Sequence, residues 1–238
     1  TVVRVHRGGR LWSVSAAEWV DGSIPLTLVP PADEPRGAWE ISVGTGDSES
    51  GRISVWVDDL RQQVVAAAEA TRSTHLVSAE APVSLWSTLE KPGTAATFVI
   101  TVRQGQTWVF DLAAQRLGSK GDFSLELLDG SGRLVAANDS HAGQADPLLV
   151  FRAPSDGTYG VRIQEATFGG SADHFFRLSC GELPLITGLF PLNVPAGRES
   201  EVQLFGANLP GEGRVQISAA EPGEHPLPEP ANSWRSRR

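Results

Sequence analysis

Between residues 97 and 180 the apolar side chains fall at every second position, in short runs broken by Gly, Asp and Pro. Trp108, Phe110 and Leu112 alternate with Thr107, Val109 and Asp111, and Phe123, Leu125 and Leu127 repeat the pattern. "TFVITV" (97–102), "RLVAAN" (133–138), "PLLVFRAP" (147–154), "GTYGVRIQEA" (157–166) and "HFFRLSC" (174–180) continue it. A period of two places alternate side chains on opposite faces of a strand. Short strands at this spacing predict an all-β sandwich. The N-terminal runs "SIPLTLVP", "GAWEISVGTG" and "GRISVWVDD" read the same way. Residues 60–81, rich in Ala and Gln, are the exception; they predict a linker with a short helix over 60–70.

Hydrophobic residues make up 40% of the 238, enough to bury a core, and the net charge is -8. An acidic chain lacks the basic face that nucleic acid requires. No apolar run approaches the ~18 residues of a membrane-spanning helix. The chain starts at Thr1, contains no Met and carries no signal peptide, and we read it as an internal piece of a longer protein. The tail from Glu221, Pro-rich and then basic, reads as disordered.

Most of the conventional chemistry is missing from the sequence. The histidines His6, His75, His141, His174 and His225 form no metal-ligand pair, and neither a nucleophile elbow nor a phosphate loop is present. Cys180 ends a strand run and reads as a small buried hydrophobe. Trp56 and Trp108 lie inside strand patterns and are expected in the core; Trp12, Trp19, Trp39 and Trp86 form no single stripe on which a sugar could stack. Asn138 opens a formal glycosylation sequon, "NDS".

The one candidate site lies around a hairpin centred on Gly130-Ser131-Gly132. Pairing 129 with 133 sets 125 against 137 and 123 against 139. That register brings Asp122 and Asp139 together across the open end, with Asp146 arriving from the next loop. These carboxylates, with the Asn138 amide, supply the oxygen donors Ca²⁺ prefers. The alternative is a solvated loop in which Asp139 bonds its own backbone. The spacing is not that of an EF-hand, and no cleft is evident for a glycosidase carboxylate pair.

The same stretch resembles a known family. The turn Gly105-Gln106, the "DGSGRLVA" hairpin, the loop pair Asn138-Asp139 and "APSDGTYGVRI" (153–163) are similar, in order and spacing, to the bacterial pre-peptidase C-terminal domain. The resemblance covers about 82–180. It implies a jelly-roll-like β-sandwich and a non-catalytic accessory module of a secreted or cell-surface protein. Relatives carry acids before the second strand, where "GTAATFVI" here has Thr94 and Ala96. Residues 184–211 and 29–57 are similar to the first and last strands of bacterial immunoglobulin-like modules.

The expected organisation is therefore four parts: 1–59, the end of an immunoglobulin-like module; 60–81, a linker; 82–181, the sandwich; and 182–238, the start of a further module. A second arrangement pairs the two flanks into one sandwich with the middle inserted. The expected role is spacer, folding support or attachment domain, calcium-stabilised through Asp122, Asn138, Asp139 and Asp146. The alternative is a carbohydrate- or protein-binding module of an exported hydrolase. Expected partners are other domains of the same polypeptide and an extracellular polysaccharide or protein.

Overall fold

The computed structural model describes residues 2–7, 10–15, 26–27, 37–45, 47–72, 75–76, 81–228 and 235–236. Its contacts divide the chain into two units, 1–59 and 60–238.

The first unit is one antiparallel sheet. Strand β1 (Val2–Arg7) lies between β2 (Arg10–Ser15) and β3 (Gly37–Thr45), and β3 also pairs with β4 (Ser48–Glu49) and β5 (Ile53–Val57). Alternation along β1 and β3 buries Val3, Val5 and Trp39. Trp56 is an exception to its expected burial: it is 38% exposed. The strand that carries it is an edge of the sheet, with exposed and half-buried positions along its whole length. Trp12 and Trp19 have side chains outside the described residues.

The second unit is built on a sandwich of two five-stranded sheets. Its strands are β6 (Arg61–Val64), β7 (His75–Leu76), β8 (Val83–Thr88), β9 (Ala95–Val102), β10 (Thr107–Ala113), β11 (Phe123–Leu128), β12 (Leu134–Asn138), β13 (Leu148–Arg152), β14 (Gly157–Glu165) and β15 (Phe175–Gly181). The orders are β13-β10-β15-β8-β6 and β12-β11-β14-β9-β7. Apart from the β11–β12 hairpin, successive strands from β8 to β15 cross from one sheet to the other. That is jelly-roll connectivity, as expected.

The alternation read in the sequence explains the core. Phe98, Phe110, Phe123, Phe176, Leu112, Leu125 and Leu127 are all at most 2% exposed. The Phe176 ring meets Phe123 and Phe98 edge-on, with centroids 5.5 and 6.3 Å apart. Cys180 is fully buried, and burial pushes its thiol up to about 12, so it is a packing residue.

Residues 60–72, the first part of the expected linker, differ from it. Residues 61–64 form β6, a parallel edge strand on β8, and the helix α1 (Ala67–Arg72) starts only at 67. The Trp86 indole donates to Gln62 at 2.7 Å, and Val65 and Ala70 join the sandwich core. Ala-rich composition favours helix only weakly, and edge pairing overrides it here.

Beyond the sandwich, β16 (Leu185–Phe190), β17 (Glu199–Ala207) and β18 (Arg214–Ser218) form a smaller sheet, joined in parallel by β19 (Arg235–Ser236). Its own core is small: Ile186, Val202 and Leu204. Its other buried contact lies on the outer face of the sandwich. Leu183, Leu185 and Ala207 close over Val109 and Leu148, with Leu60 at the border. The Asn208 amide spans this seam, donating to Thr107 O at 2.9 Å and to Leu183 O at 3.1 Å. Within the small sheet, Gly206 lets β17 lie close against β16: a Cβ there would stand 1.8 Å from Leu185 O.

Candidate functional site

The hairpin β11–β12 forms where the sequence places it, but with a different register. Asp129 N donates to Arg133 O at 2.9 Å and Gly132 N to Asp129 O at 2.8 Å, which closes the expected turn. Leu128 then pairs with Leu134 and Leu127 with Ala136, so Val135 is an extra, bulged residue. The shift sets Leu125 against Asn138, not against residue 137. A slip of one residue exchanges the two faces of a strand. The predicted facing of 123 with 139 is thereby corrected.

The four candidate calcium ligands meet different fates. Asp146 is 4% exposed, and the backbone takes both its oxygens: Gln115 N donates to Oδ1 at 2.8 Å and Arg116 N to Oδ2 at 3.2 Å. It caps the 3₁₀ turn Gln115–Leu117, whose own N-cap residue, Ala114, has no side-chain oxygen. Arg116 adds ion pairs to Asp111 at 2.8 Å and to Asp146 at 3.8 Å. The Asn138 amide oxygen accepts from Leu148 N at 3.1 Å, tying β12 to β13. Asp139 is exposed and accepts from the Ser140 hydroxyl. Asp122 is exposed, and its N–H points to Glu165 at 3.4 Å. The loop between 139 and 146 is itself a closed turn. His141 and Gln144 exchange two backbone bonds of 2.9 Å around Ala142 and Gly143, both at positive φ. Among the described residues, no group of three or more His, Cys, Asp or Glu stands where it could hold a metal ion.

Two carboxylates outside the candidate calcium set are better organised. Glu165 is 3% exposed and gathers the loop 166–170. It accepts from Gly169 N at 2.5 Å, Thr167 N at 2.9 Å and the Thr167 hydroxyl. Burial opposes its charge, yet these donors hold its carboxyl below the usual range. The cage fixes Phe168 at φ 58°, a left-handed backbone that a bulky residue rarely adopts, with its side chain 62% exposed. Asp129 anchors the hairpin turn. The Ser131 hydroxyl, Arg133 N and Ser131 N all donate to Oδ1, and its pKa falls to about 2. The sequence signal for Asp129 was an Asp two residues before a Ser and four before an Arg in a Gly-rich turn. Glu165 had no local signal, because its partners follow it in a loop with no regular period.

In the first unit, Ser42 is 1% exposed and donates to Glu49 at 2.5 Å, while His6 Nε2 lies 3.0 Å from Ser42 Oγ. The Ser42 bond, with His6 and Arg4 nearby, holds the Glu49 carboxyl below its ordinary value. Glu49 meets the same ring nitrogen that Ser42 does, at 3.3 Å, so it does not orient His6 from the far side as a catalytic triad requires.

No family model matches the chain, and no curated protein matches it. Solved structures do show likeness. The pre-peptidase C-terminal domain of a collagenase from Bacillus anthracis is 10% identical over 52% of this chain and 99% of that one, with a TM-score of 0.35. A periplasmic inhibitor of g-type lysozyme from Aeromonas hydrophila is 14% identical, covers 50% and 99%, and has a TM-score of 0.33. The CBM51-2 and INT domains of Clostridium perfringens ZmpB, solved with GlcNAc, are 12% identical over 60% and 36%, with a TM-score of 0.29. Among the described residues, no helix is long and apolar enough to cross a membrane.

Proposed function

We propose that this chain is a non-catalytic accessory segment of an exported protein, a string of β modules that holds its neighbours at a fixed angle. The observation that carries this reading is the seam between the sandwich and the sheet β16–β18. Val109 and Leu185 are fully buried there, and Leu148, Leu183 and Ala207 are at most 5% exposed. A flexible tether needs no such surface; a spacer that transmits orientation does. Apolar burial and the two Asn208 bonds resist hinge motion at the joint. The exported context rests on the likeness of residues 82–180 to the pre-peptidase C-terminal domain.

Residual dipolar couplings on the full chain test the joint. Backbone amides of 82–181 and 185–218 are expected to fit one alignment tensor. Two unrelated tensors in the wild-type chain would sink the reading. Val109→Asp is expected to separate them by placing a charge in the seam.

A further inference from the structure

At the turn end of the β11–β12 hairpin, opposite the acidic loop, lies a groove of about 470 Å³. One wall is the turn from Asp129 to Arg133, and the other is the turn from Pro154 to Gly157. Such a volume lies within the range of small binding sites, ~300–1,000 Å³. Two glycines border the space, and neither needs its backbone freedom. A Cβ on Gly130 would lie 3.6 Å from Thr158 O, and one on Gly157 would lie 3.5 Å from the Tyr159 ring. Both distances are ordinary contacts, so side chains are sterically allowed there. Their absence keeps the groove open.

The groove carries a carboxylate on each wall. Asp129 Oδ1 is saturated by its turn, and Oδ2 is paired with Arg133 Nε at 3.3 Å, so that wall carries its own cation and Asp156 is the carboxylate open to a ligand. Asp156 Oδ1 accepts from Gln104 N at 2.7 Å, and its second oxygen bonds nothing among the described residues. Beside the groove runs β12, an edge of its sheet with no further strand on its outer side among the described residues. Leu134 and the bulged Val135 are 53% and 41% exposed on that edge, and Val135 lines the groove.

We propose that this edge receives an extended peptide segment of a partner protein, whose lysine or arginine side chain lies in the groove against Asp156. The net charge of -8 draws a basic segment in. The unpaired strand edge offers backbone bonds to a peptide, and the alternate side chains supply selectivity. A stacked sugar fits less well, because Tyr159, the one ring in the lining, is 7% exposed and tilted against Phe151 at 4.9 Å. A free polyamine has the charge but no backbone to pair.

The test is fluorescence anisotropy on the full chain. The probe is a labelled pentapeptide of valine and threonine around one central arginine, with a glutamine-centred control. A charge-assisted contact predicts binding about tenfold tighter for the arginine peptide. Asp156→Asn is expected to remove most of that preference, and Gly157→Leu to abolish binding with the melting temperature unchanged. Gly130→Ala serves as a milder filling variant should leucine disturb β14. Equal affinity for both peptides, no binding at millimolar protein, or undiminished binding in the filled variants would overturn the proposal. So would displacement by spermidine as effective as by unlabelled peptide, which would reassign the groove to polyamines. None of these outcomes touches the seam, so this proposal and the spacer reading fail separately.

Discussion

The jelly roll and the sheet that leans on it bury their apolar faces by different means. In the sandwich, two sheets cover each other, and one core takes residues from Val65 to Cys180. Among the described residues of the C-terminal sheet, Ile186, Val202 and Leu204 are buried in a core of its own, with half-buried Leu189, Val215 and Ile217 around them. Its remaining apolar contact is borrowed from the outer face of β10. The sandwich has what it needs to be stable by itself, whereas the sheet gains part of its stability from its neighbour. The sharpest way to break this asymmetry is at the sandwich core. Phe176→Ala removes a ring packed between Phe98 and Phe123, and a loss of about 3–5 kcal/mol is expected. Chemical denaturation should show the seam and the small sheet falling with the sandwich.

Leu185→Ala probes the other direction. It opens the seam at a fully buried position and is expected to cost the smaller sheet about 2–4 kcal/mol. Hydrogen exchange should then rise in β16–β18 while β8–β15 stay protected. Equal loss of protection in both regions would mean that the two fold as one unit, and the asymmetry would be wrong.

A finer comparison sets Glu165 beside Asp146, two buried carboxylates that each organise a turn. Glu165→Gln keeps the shape but loses charge-assisted bonds, and about 2 kcal/mol is expected at neutral pH. The folded pKa of Glu165 lies below its ordinary value. Its contribution is therefore present above the unfolded pKa, about 4.3, and is lost as pH falls through the folded one. Melts of wild type and variant should differ at pH 7 and converge in strong acid. Asp146→Ala removes a cap and is expected to cost about 1 kcal/mol. Its effect should be the same in EGTA and in calcium if capping is its whole role.

The strands were legible because alternation survives any loop between them. Trp108, Phe110 and Leu112 could be set on one face of β10 from their spacing alone, and all are buried. The site was less legible. One bulged residue, Val135, changed which residues face each other, and nothing in "GRLVAAN" marks where a ladder slips. Asp146 looked like part of an acidic cluster because the sequence lists neighbours along the chain. Its partners, Gln115 and Arg116, lie thirty residues upstream. Strand 61–64 was missed because a parallel edge pairing leaves no turn signal beside it. Trp56 was misplaced because alternation gives the period of a strand but not whether another sheet covers it.

The smallest expected effect separates the two ends of the hairpin. Asp129 holds its turn together with bonds from Ser131 and Arg133, whereas among the described residues Asp139 accepts from the adjacent Ser140 alone. Asp139→Ala is therefore expected to shift stability in EGTA by less than about 0.5 kcal/mol, as exposed substitutions do. A calcium response at that end is expected from Asp122 and Asp139 with backbone oxygens, since Asp146 is buried and its oxygens, like the Asn138 amide oxygen, each already accept from an N–H group. A rise in melting temperature with millimolar calcium, abolished by Asp139→Ala, would establish a site at that end. The same melt with and without the ion would leave the acidic end as a closed surface turn, with Asp146 as a cap and Asn138 as a tie between β12 and β13.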